Sequence, residues 1–355
     1  MDCGLAEMMG TGETGWAITD FLGKQWAYWQ KIATFAGVTV FMSMVNKIIY
    51  SLFYALSLLP LGVLYALSDM FYFLVYRVLR YRRGVVRHNL TSSFPEKPVT
   101  EIKKIERQFY HWFCDYFMES IKLLSISRDE LDRRLVVKNP EVHEQWFLKG
   151  RDTAGILGHY CNWEWLSRVG KDMNPERRVC LIYDPLHSKA FDYLFLRLRS
   201  APPVGVPTPK KDILRQLFSW KREGVHSLGG YIADQAPRWT NIHLWLPFLN
   251  HPQTPVFTGT ERIVRKMNDV VYYVRMTRPR RGYYSVEYIP ITDDPKSLPE
   301  GEITRRFFEL LEQSVREAPQ YYLWTHNRWK RTKEEFDRRF VVVNGKVQER
   351  DRAAR

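Results

Sequence analysis

Short apolar runs alternate with amphipathic stretches between about residues 135 and 300. The runs 153–158, 178–183 and 225–233 have the length of buried strands. The stretches 211–223 and 303–317 repeat apolar residues at helical spacing. Strands that alternate with helices form a sheet covered by helices. The pattern therefore predicts an α/β domain with a central mixed sheet flanked by helices.

Three segments are predicted to be irregular. Residues 201–209 are rich in proline, which suits a loop, and the chain is predicted to lose regularity again from Leu246. Residues 333–355 form a charged tail that we expect to fray.

The N-terminal part of the chain is strongly apolar. Ile48 to Leu67 contains twenty residues without a charge, enough to cross the hydrocarbon core of a bilayer, with a kink expected at Pro60. A cluster of arginines follows: Arg77, Arg80, Arg82, Arg83 and Arg87. Residues 44–80 are thus predicted to form a membrane-anchoring helix whose C-terminal side is cytoplasmic. Spanning is slightly favoured over lying in the interface, and a hairpin of two buried helices is the alternative.

Residues 1–43 precede this anchor as a Gly-rich and then aromatic extension. No basic region followed by an apolar core is present, so the extension is not read as a signal peptide. It is either an additional membrane-surface helix or an upstream extension created by a mis-called start.

The strongest candidate for chemistry follows the apolar run 153–158. His159 is expected where a strand ends, and Glu164 in the first turn of a helix over 163–169 capped by Asn162. On one continuous helix two such residues would point apart, but a strand-to-helix turn can bring them together. The Glu could then hold one imidazole nitrogen while the other acts as a base. A structural His–Glu pair is the alternative, and nothing marks Cys161 as an activated nucleophile.

Composition narrows the choice of partner. The formal charge of +14 and the aromatic content of 15% favour anionic partners, either nucleic acid or acidic lipid. The chain has no nucleic-acid-binding motif, and its apolar N-terminal segment argues for lipid. Four cysteines without a CxxC pair suggest a reducing compartment and make a zinc site improbable.

The segment Gly158-His159-Tyr160-Cys161-Asn162-Trp163-Glu164 resembles the HX4D/E motif of the lysophospholipid acyltransferase superfamily. It is most similar to the late lipid A acyltransferases, which transfer lauroyl or myristoyl chains. Further segments fall in that family's order: Tyr183-Asp184-Pro185 with Arg197-Leu198-Arg199-Ser200, Ala233-Asp234-Gln235, Pro247-Phe248, Thr258-Gly259 and His326-Asn327-Arg328-Trp329-Lys330. The resemblance covers roughly residues 44–332 and implies one acyltransferase domain over 81–332.

The resemblance implies a mechanism. His159, oriented by Glu164, would remove the proton from a hydroxyl of a lipid A precursor, whose oxygen then attacks the thioester of an acyl carrier protein. Arg197 is the first candidate to stabilise the tetrahedral oxyanion, Arg199 the second, and Asp234 would support the arginine or position the acceptor. The remaining substrate-binding candidates are Asn162, Gln235, Thr258, Gly259, His326 and Arg328. No metal or cofactor is implied, since the acyl carrier protein thioester is the donor substrate.

The expected partners are an acyl carrier protein, a lipid A precursor and the membrane, without nucleic acid. The expected location is the inner membrane, with the catalytic domain on the cytoplasmic side. The nearest alternative is the same chemistry on a glycerolipid, an aminolipid or a glycolipid. A basic nucleic-acid-binding protein and an inactive membrane scaffold are more distant alternatives.

Overall fold

The computed structural model describes Met44 and residues 46–174, 176–185, 189–199 and 205–350. The predicted extension over 1–43 lies outside these residues, as do Ser200 and the last five residues of the tail.

A seven-stranded sheet forms the centre of the fold. Its strands are, in chain order, β1 (Leu135–Val137), β2 (Thr153–Leu157), β3 (Arg178–Tyr183), β4 (Gly205–Pro209), β5 (Ser227–Ile232), β8 (Val270–Arg280) and β9 (Tyr283–Thr292). Across the sheet they lie in the order β1-β9-β8-β2-β5-β3-β4. Only β8 and β9 are antiparallel neighbours, and the other adjacent pairs are parallel. The predicted mixed sheet is confirmed.

Helices surround this sheet. They are α1 (46–57), α2 (Leu61–Tyr72), α3 (Arg83–Ser93), α4 (Val99–Lys122), α5 (Arg128–Arg134), α6 (Glu141–Leu148), α7 (Lys189–Arg199), α8 (Ile213–Arg222), α9 (Gly259–Met267), α10 (Glu302–Glu317) and α11 (Lys333–Arg339). A π-helical turn, Phe73–Val78, extends α2, and 3₁₀ segments cover Trp165–Asp172, Trp239–Asn241 and Pro319–Tyr321. The apolar stripe of α4, including Phe109 and Trp112, is part of the main core.

The uncharged N-terminal run is interrupted where its proline predicted a kink. Helix α1 ends at residue 57, and α2 begins directly after Pro60, which has an extended backbone and lacks the N–H that a continuing helix requires. The helical stretch Leu61–Val78 is the one described segment that is long and apolar enough to cross a membrane by length and composition.

The described parts of three segments expected to be irregular form ordered elements. Gly205–Pro209 is β4, and its two prolines are tolerated because β4 is an edge strand that pairs only with β3. Residues after Leu244 form a hairpin of β6 (Leu244–Phe248) and β7 (His251–Val256). The described part of the tail contains α11 and a hairpin of β10 (Phe340–Val343) and β11 (Lys346–Glu349). Its buried Phe336, Phe340 and Val347 pack with Ile242.

The register between two central strands positions the candidate site. Strands β2 and β5 are parallel neighbours, paired from Thr153 with Leu228 to Leu157 with Ile232. The amide of Ala233 continues the ladder by donating to the carbonyl of Leu157, 3.0 Å away. Because both strands end at the same edge, the residues that follow them emerge side by side.

Candidate active site

His159 and Asp234 meet at that edge of the sheet. The Nδ1 atom of His159 lies 2.6 Å from Oδ1 of Asp234, and the Asp234 side chain is buried whereas the imidazole is 14% exposed. Burial alone would raise the pKa of Asp234. The imidazole and the nearby guanidinium of Arg328 reverse this effect, so that the pKa of Asp234 is lowered. An ionised Asp234 accepts a hydrogen bond from Nδ1–H, which leaves Nε2 of His159 as the basic nitrogen.

The second imidazole nitrogen faces Gln235. Its amide nitrogen lies 3.3 Å from His159 Nε2 and donates to it when Nδ1 carries the ring proton. The contact is exposed, so a substrate hydroxyl that reached the same position would meet the unprotonated nitrogen.

The backbone around His159 is fixed by a segment far along the chain. The carbonyl of His159 accepts from the amide of Leu323 at 3.1 Å, and the amide of Cys161 donates to the carbonyl of Tyr321 at 2.9 Å. Tyr160 and Tyr322 form an antiparallel bridge between these two bonds. Cys161 adopts a left-handed backbone conformation, with φ of 52°, and so turns the chain sharply after the strand. The imidazole therefore belongs to a short turn whose backbone is restrained by these hydrogen bonds.

Glu164 does not take the place predicted for it beside His159. Its carboxylate is buried and binds both arms of Arg199, with Nε to Oε2 at 2.8 Å and Nη2 to Oε1 at 2.6 Å. The hydroxyl of Tyr116 is a weaker third partner at 3.4 Å. The expected His–Glu orienting bond is corrected to a His159–Asp234 bond. The reason is that a turn and a 3₁₀ segment follow the strand, and they direct Glu164 towards α7.

Asn162 was expected to cap a helix but serves another partner. Its side-chain amide donates to Oε2 of Glu119 at 2.8 Å, in the fully buried interior. The Glu119 carboxylate also accepts from the hydroxyl of Tyr284, and its backbone carbonyl accepts from the indole of Trp165 at 3.0 Å. Burial raises the pKa of Glu119 against the opposing effect of Arg278. Asn162 thus links the turn that follows β2 to helix α4 through this buried hydrogen bond.

The two candidate arginines of α7 differ in position. Arg199 reaches Glu164, whereas Arg197 lies on the exposed side with its guanidinium 5.3 Å from the ring centre of Tyr193. The helix spacing explains this, because residues two apart point to different sides. The first-ranked oxyanion candidate, Arg197, is therefore exposed, and the second-ranked one, Arg199, pairs with Glu164.

His326 and Arg328 lie close to the pair, and Arg328 is not a surface cation. Arg328 is 1% exposed and donates through Nη1 to the carbonyl of Pro255 at 2.8 Å. Burial lowers the pKa of His326 to about 4. His326 is therefore neutral at pH 7. The positive charge of the buried Arg328 helps to lower the pKa of Asp234.

Thr258 and Gly259 begin α9. The absence of a side chain at Gly259 leaves room for the ring of Phe257, which a Cβ would meet at 2.3 Å. Gly259 therefore has a role in packing the start of that helix.

Cys161 is unsuited to nucleophilic chemistry. It is fully buried, and burial strongly raises the pKa of its thiol. Its Sγ lies 3.5 Å from the carbonyl of Met276. Among the described residues, no group of three or more His, Cys, Asp or Glu side chains could hold a metal ion.

An apolar pocket lies next to the pair. Trp163, whose ring centre is 5.0 Å from that of His159, forms part of its wall together with Glu164 and Arg199. Its other walls come mainly from the sheet: Gly155, Leu157, Val179, Leu181, Ile182, Leu228, Gly230, Ile232 and Val274. Gly155 and Gly230 are paired across β2 and β5, which creates a shallow floor without side chains.

Sequence reasoning missed Tyr322 and the Glu119 carboxylate, which come from remote segments that no local spacing connects with His159. It predicted Arg328 as a substrate-binding residue but did not predict that Arg328 is buried. The position of Asp234 directly after a strand was a usable signal, since neighbouring parallel strands bring their ends together.

A buried carboxylate that orients a partly exposed histidine, at a sheet edge beside an apolar pocket, is suited to transferring a hydrophobic acyl group. The family model described as bacterial lipid A biosynthesis acyltransferase matches residues 41–331. The chain belongs to this family and is an acyltransferase, as the resemblance of its sequence motifs indicated. A search of curated proteins found no match.

Proposed function

We propose that this protein transfers a fatty acyl chain from an acyl carrier protein thioester to a hydroxyl of a lipid A precursor, with His159 as the general base. The observation that carries the proposal is the 2.6 Å contact of His159 Nδ1 with the buried Asp234. It leaves Nε2 unprotonated and directed to the accessible side of the site.

The chemistry balances without a further reactant. His159 Nε2 accepts the proton of the acceptor hydroxyl while the oxygen forms a bond to the thioester carbon. The resulting tetrahedral intermediate collapses by breaking the carbon–sulfur bond, and the proton passes from Nε2 to the departing thiolate. Asp234 stabilises the imidazolium that exists between these steps.

Arg199 replaces Arg197 as the candidate for stabilising the tetrahedral oxyanion. Its guanidinium is held by Glu164 at two bonds and also lines the pocket. A cation fixed in this way needs little reorganisation when negative charge develops on the thioester oxygen. Glu164 then acts as a positioning residue for Arg199.

The apolar pocket is the proposed place of an acyl chain. Leu228, Gly230 and Ile232 alternate along β5 and all line it, as expected for side chains on one face of a strand. Its walls offer hydrocarbon contacts almost throughout, while Glu164 and Arg199 supply charge on one side. This matches a substrate with an apolar tail and a reacting polar end.

The charge of the chain is consistent with the proposed partners. Acyl carrier proteins are acidic and lipid A precursors carry phosphates, so both suit a protein with a formal charge of +14. The proposed location is the inner membrane, with the catalytic domain on the cytoplasmic side, where both substrates would be found.

The test is to incubate detergent-solubilised protein with an acyl carrier protein thioester and a tetra-acylated lipid A precursor, and to weigh the lipid product by mass spectrometry. We expect a gain of one acyl chain, and the size of the gain identifies that chain. His159→Ala should reduce the rate by about 10²–10⁴-fold. His243→Ala, which changes an exposed histidine, serves as the matched control and should retain the rate.

Two other outcomes would change the proposal. Thioester hydrolysis by the wild type without a gain on the lipid would retain acyl transfer and discard the lipid A acceptor. A glycerolipid, an aminolipid and a glycolipid would then be tested in its place. An equal rate for His159→Ala and the wild type would contradict the role of His159 as base.

Gly230 offers a separate test of the pocket. A Cβ at this position would meet only the carbonyl oxygen of Cys180, at an ordinary 3.6 Å, whereas a Cβ at Gly155 would come within 2.7 Å of Val274. Gly230→Leu should therefore fill the pocket with little disturbance of the sheet and shift the preferred donor towards shorter acyl chains. An unchanged chain-length preference would place the acyl chain elsewhere.

A further inference from the structure

Helix α2 is attached to the rest of the protein by polar contacts along one side. The hydroxyl of Tyr65 donates to Glu119 at 3.0 Å, and that of Ser68 donates to Asp115 at 2.7 Å. Asp69 forms an ion pair with Arg281 at 2.7 Å. These residues lie near the middle of the apolar stretch Leu61–Val78, so that in a spanning helix they would sit near the centre of the bilayer, where charge is costly.

Packing along α4 reinforces this attachment. Phe71 meets Phe117 edge-on, and the ring of Tyr72 stacks on His111 with their centres 3.5 Å apart. The outer side of α4 also carries exposed Lys103 and Lys104. A bilayer-spanning α2 would either pull these charged groups into hydrocarbon or lose its contacts with α4.

The opposite side of α2 and its extension is apolar and exposed. Val63, Met70 and Leu74 are spaced by seven and four residues and therefore lie along one stripe. Met70 is 70% exposed and Phe73 is 62% exposed. The remaining exposed apolar residues of this region are Met44, Ile48, Leu52, Tyr54, Leu58, Val78, Leu79 and Tyr81. We call this set, together with Val63, Met70, Phe73 and Leu74, the apolar face.

Cations border the apolar face without acidic residues. Arg77, Arg80 and Arg82 are exposed, and no Asp or Glu occurs from Met70 to Pro95. Arg87 and Arg83 of the same cluster instead pair with the buried Glu106. An apolar face rimmed by arginines that have no acidic partner among the described residues is complementary to the anionic headgroup region of a bilayer.

Helix α1, which carries part of the apolar face, also contacts α7. Tyr50 of α1 meets Tyr193 of α7 edge-on, with ring centres 5.7 Å apart, and α7 carries the Arg199 that lines the pocket. A bilayer held against α1 and α2 would therefore lie next to the helix that forms one side of the pocket.

From these contacts we infer that the protein docks on an anionic bilayer through the apolar face, with Leu61–Val78 lying in the interface rather than crossing it. The predicted membrane anchor is thereby assigned the monotopic form. The inference concerns the partner surface and does not depend on which acyl acceptor the enzyme uses.

The depth of the helix in vesicles decides between the two modes. Cys114, Cys161 and Cys180 are buried, so single fluorophores can be attached at Val63→Cys, Met70→Cys or Phe73→Cys in a full-length Cys3→Ser background. Quenching by lipids carrying nitroxides at shallow and deep acyl positions then reports depth, with Leu148→Cys as the exposed control.

We expect similar, shallow depths at all three positions and no quenching at residue 148. A spanning helix would instead separate Val63 and Phe73 by about 15 Å in depth, since each residue advances about 1.5 Å. Either such a gradient or the absence of quenching at all three positions would overturn the inference.

A binding measurement tests the chemistry of the partner. Flotation with phosphatidylcholine vesicles, with and without phosphatidylglycerol, should show stronger binding to the anionic vesicles. The double variant Met70→Glu/Phe73→Glu should weaken binding to anionic vesicles by roughly tenfold or more. Leu148→Glu, which places the same charge on a remote exposed leucine, should leave binding unchanged. Equal binding by the wild type and the double variant would contradict the docking surface.

Discussion

Asp234 and Glu164 are both buried carboxylates at the same end of the sheet, but their surroundings give them different partners. Asp234 accepts a hydrogen bond from Nδ1 of the partly exposed His159, and the nearby Arg328 helps to lower the pKa of Asp234. Glu164 accepts hydrogen bonds from two guanidinium nitrogens of Arg199 and lines the apolar pocket. One carboxylate is therefore placed to orient a base, and the other to hold a cation.

The difference shows that proximity in sequence is a poor guide to the orienting group. Glu164 is five residues from His159, whereas Asp234 is 75 residues away and still makes the close contact. Sheet topology decides the outcome, because β2 and β5 are parallel neighbours that end at the same edge.

Of the substitutions at these two carboxylates, Asp234→Asn should have the largest effect on activity. A neutral amide stabilises the imidazolium poorly and permits the wrong tautomer, so we expect kcat to fall roughly a thousandfold. Steady-state acyl transfer measures this, with near-normal vesicle binding showing that the fold is intact. A rate close to that of the wild type would return the orienting role to Glu164.

Glu164→Gln should mainly affect stability through Arg199. Removing one member of a buried ion pair leaves the guanidinium poorly compensated, and we expect a loss of about 2 kcal/mol in the free energy of unfolding. The double variant Glu164→Gln/Arg199→Leu should recover much of that loss, as measured by urea unfolding in detergent. If the double variant also recovered activity, Arg199 would have no part in the reaction.

The two α7 arginines form a matched pair for the next test. Arg199→Lys loses the two-armed contact with Glu164 and should reduce kcat by about tenfold or more. Arg197→Lys keeps the charge on an exposed side chain and should leave kcat unchanged. Comparable losses for the two variants would contradict the assignment of Arg199 to the site.

Substitution of Asp269 should have the weakest effect on activity. The pH dependence of the stability that Asp269 contributes is opposite in sign to that of Asp234. Burial and the neighbouring Asp152 raise the pKa of its carboxyl to about 8. Stability associated with its protonated form is therefore lost as the pH rises from the unfolded pKa towards 8. Asp234, with a lowered pKa, behaves oppositely and loses its contribution as the pH falls.

Asp269→Asn should consequently make the protein more stable than the wild type at pH 8, by roughly 2 kcal/mol. Its advantage should shrink towards pH 5, and acyl transfer should be unaffected. Urea unfolding at several pH values measures this, and an advantage that did not vary with pH would exclude the titration of Asp269 as its cause.

Local patterns predicted much of the architecture. The runs that form β2, β3 and β5 and the amphipathic stretches that form α8 and α10 carry their signal in neighbouring residues. The position of His159 after a strand followed from the same signal. Pro60 similarly indicated where the apolar N-terminal run is interrupted.

What sequence reasoning missed depends on tertiary contacts. Strand β4 contains prolines that only an edge position accommodates, and the tail is ordered because Phe336 and Phe340 bury against Ile242. The Glu164–Arg199 pair depends on the position of α7 relative to the turn that follows β2. No spacing within one segment contains that information.

The two backbone hydrogen bonds between 159–161 and 321–323 have a consequence for protein synthesis. His159 and its strand leave the ribosome long before Tyr321 and Leu323, whose backbone groups restrain the turn. Asp234 also follows His159, so a growing chain has both members of the pair only after residue 234, and the backbone restraint on His159 only after residue 323. Premature termination before residue 321 would thus yield a chain that has the motif but lacks the framework that orients it.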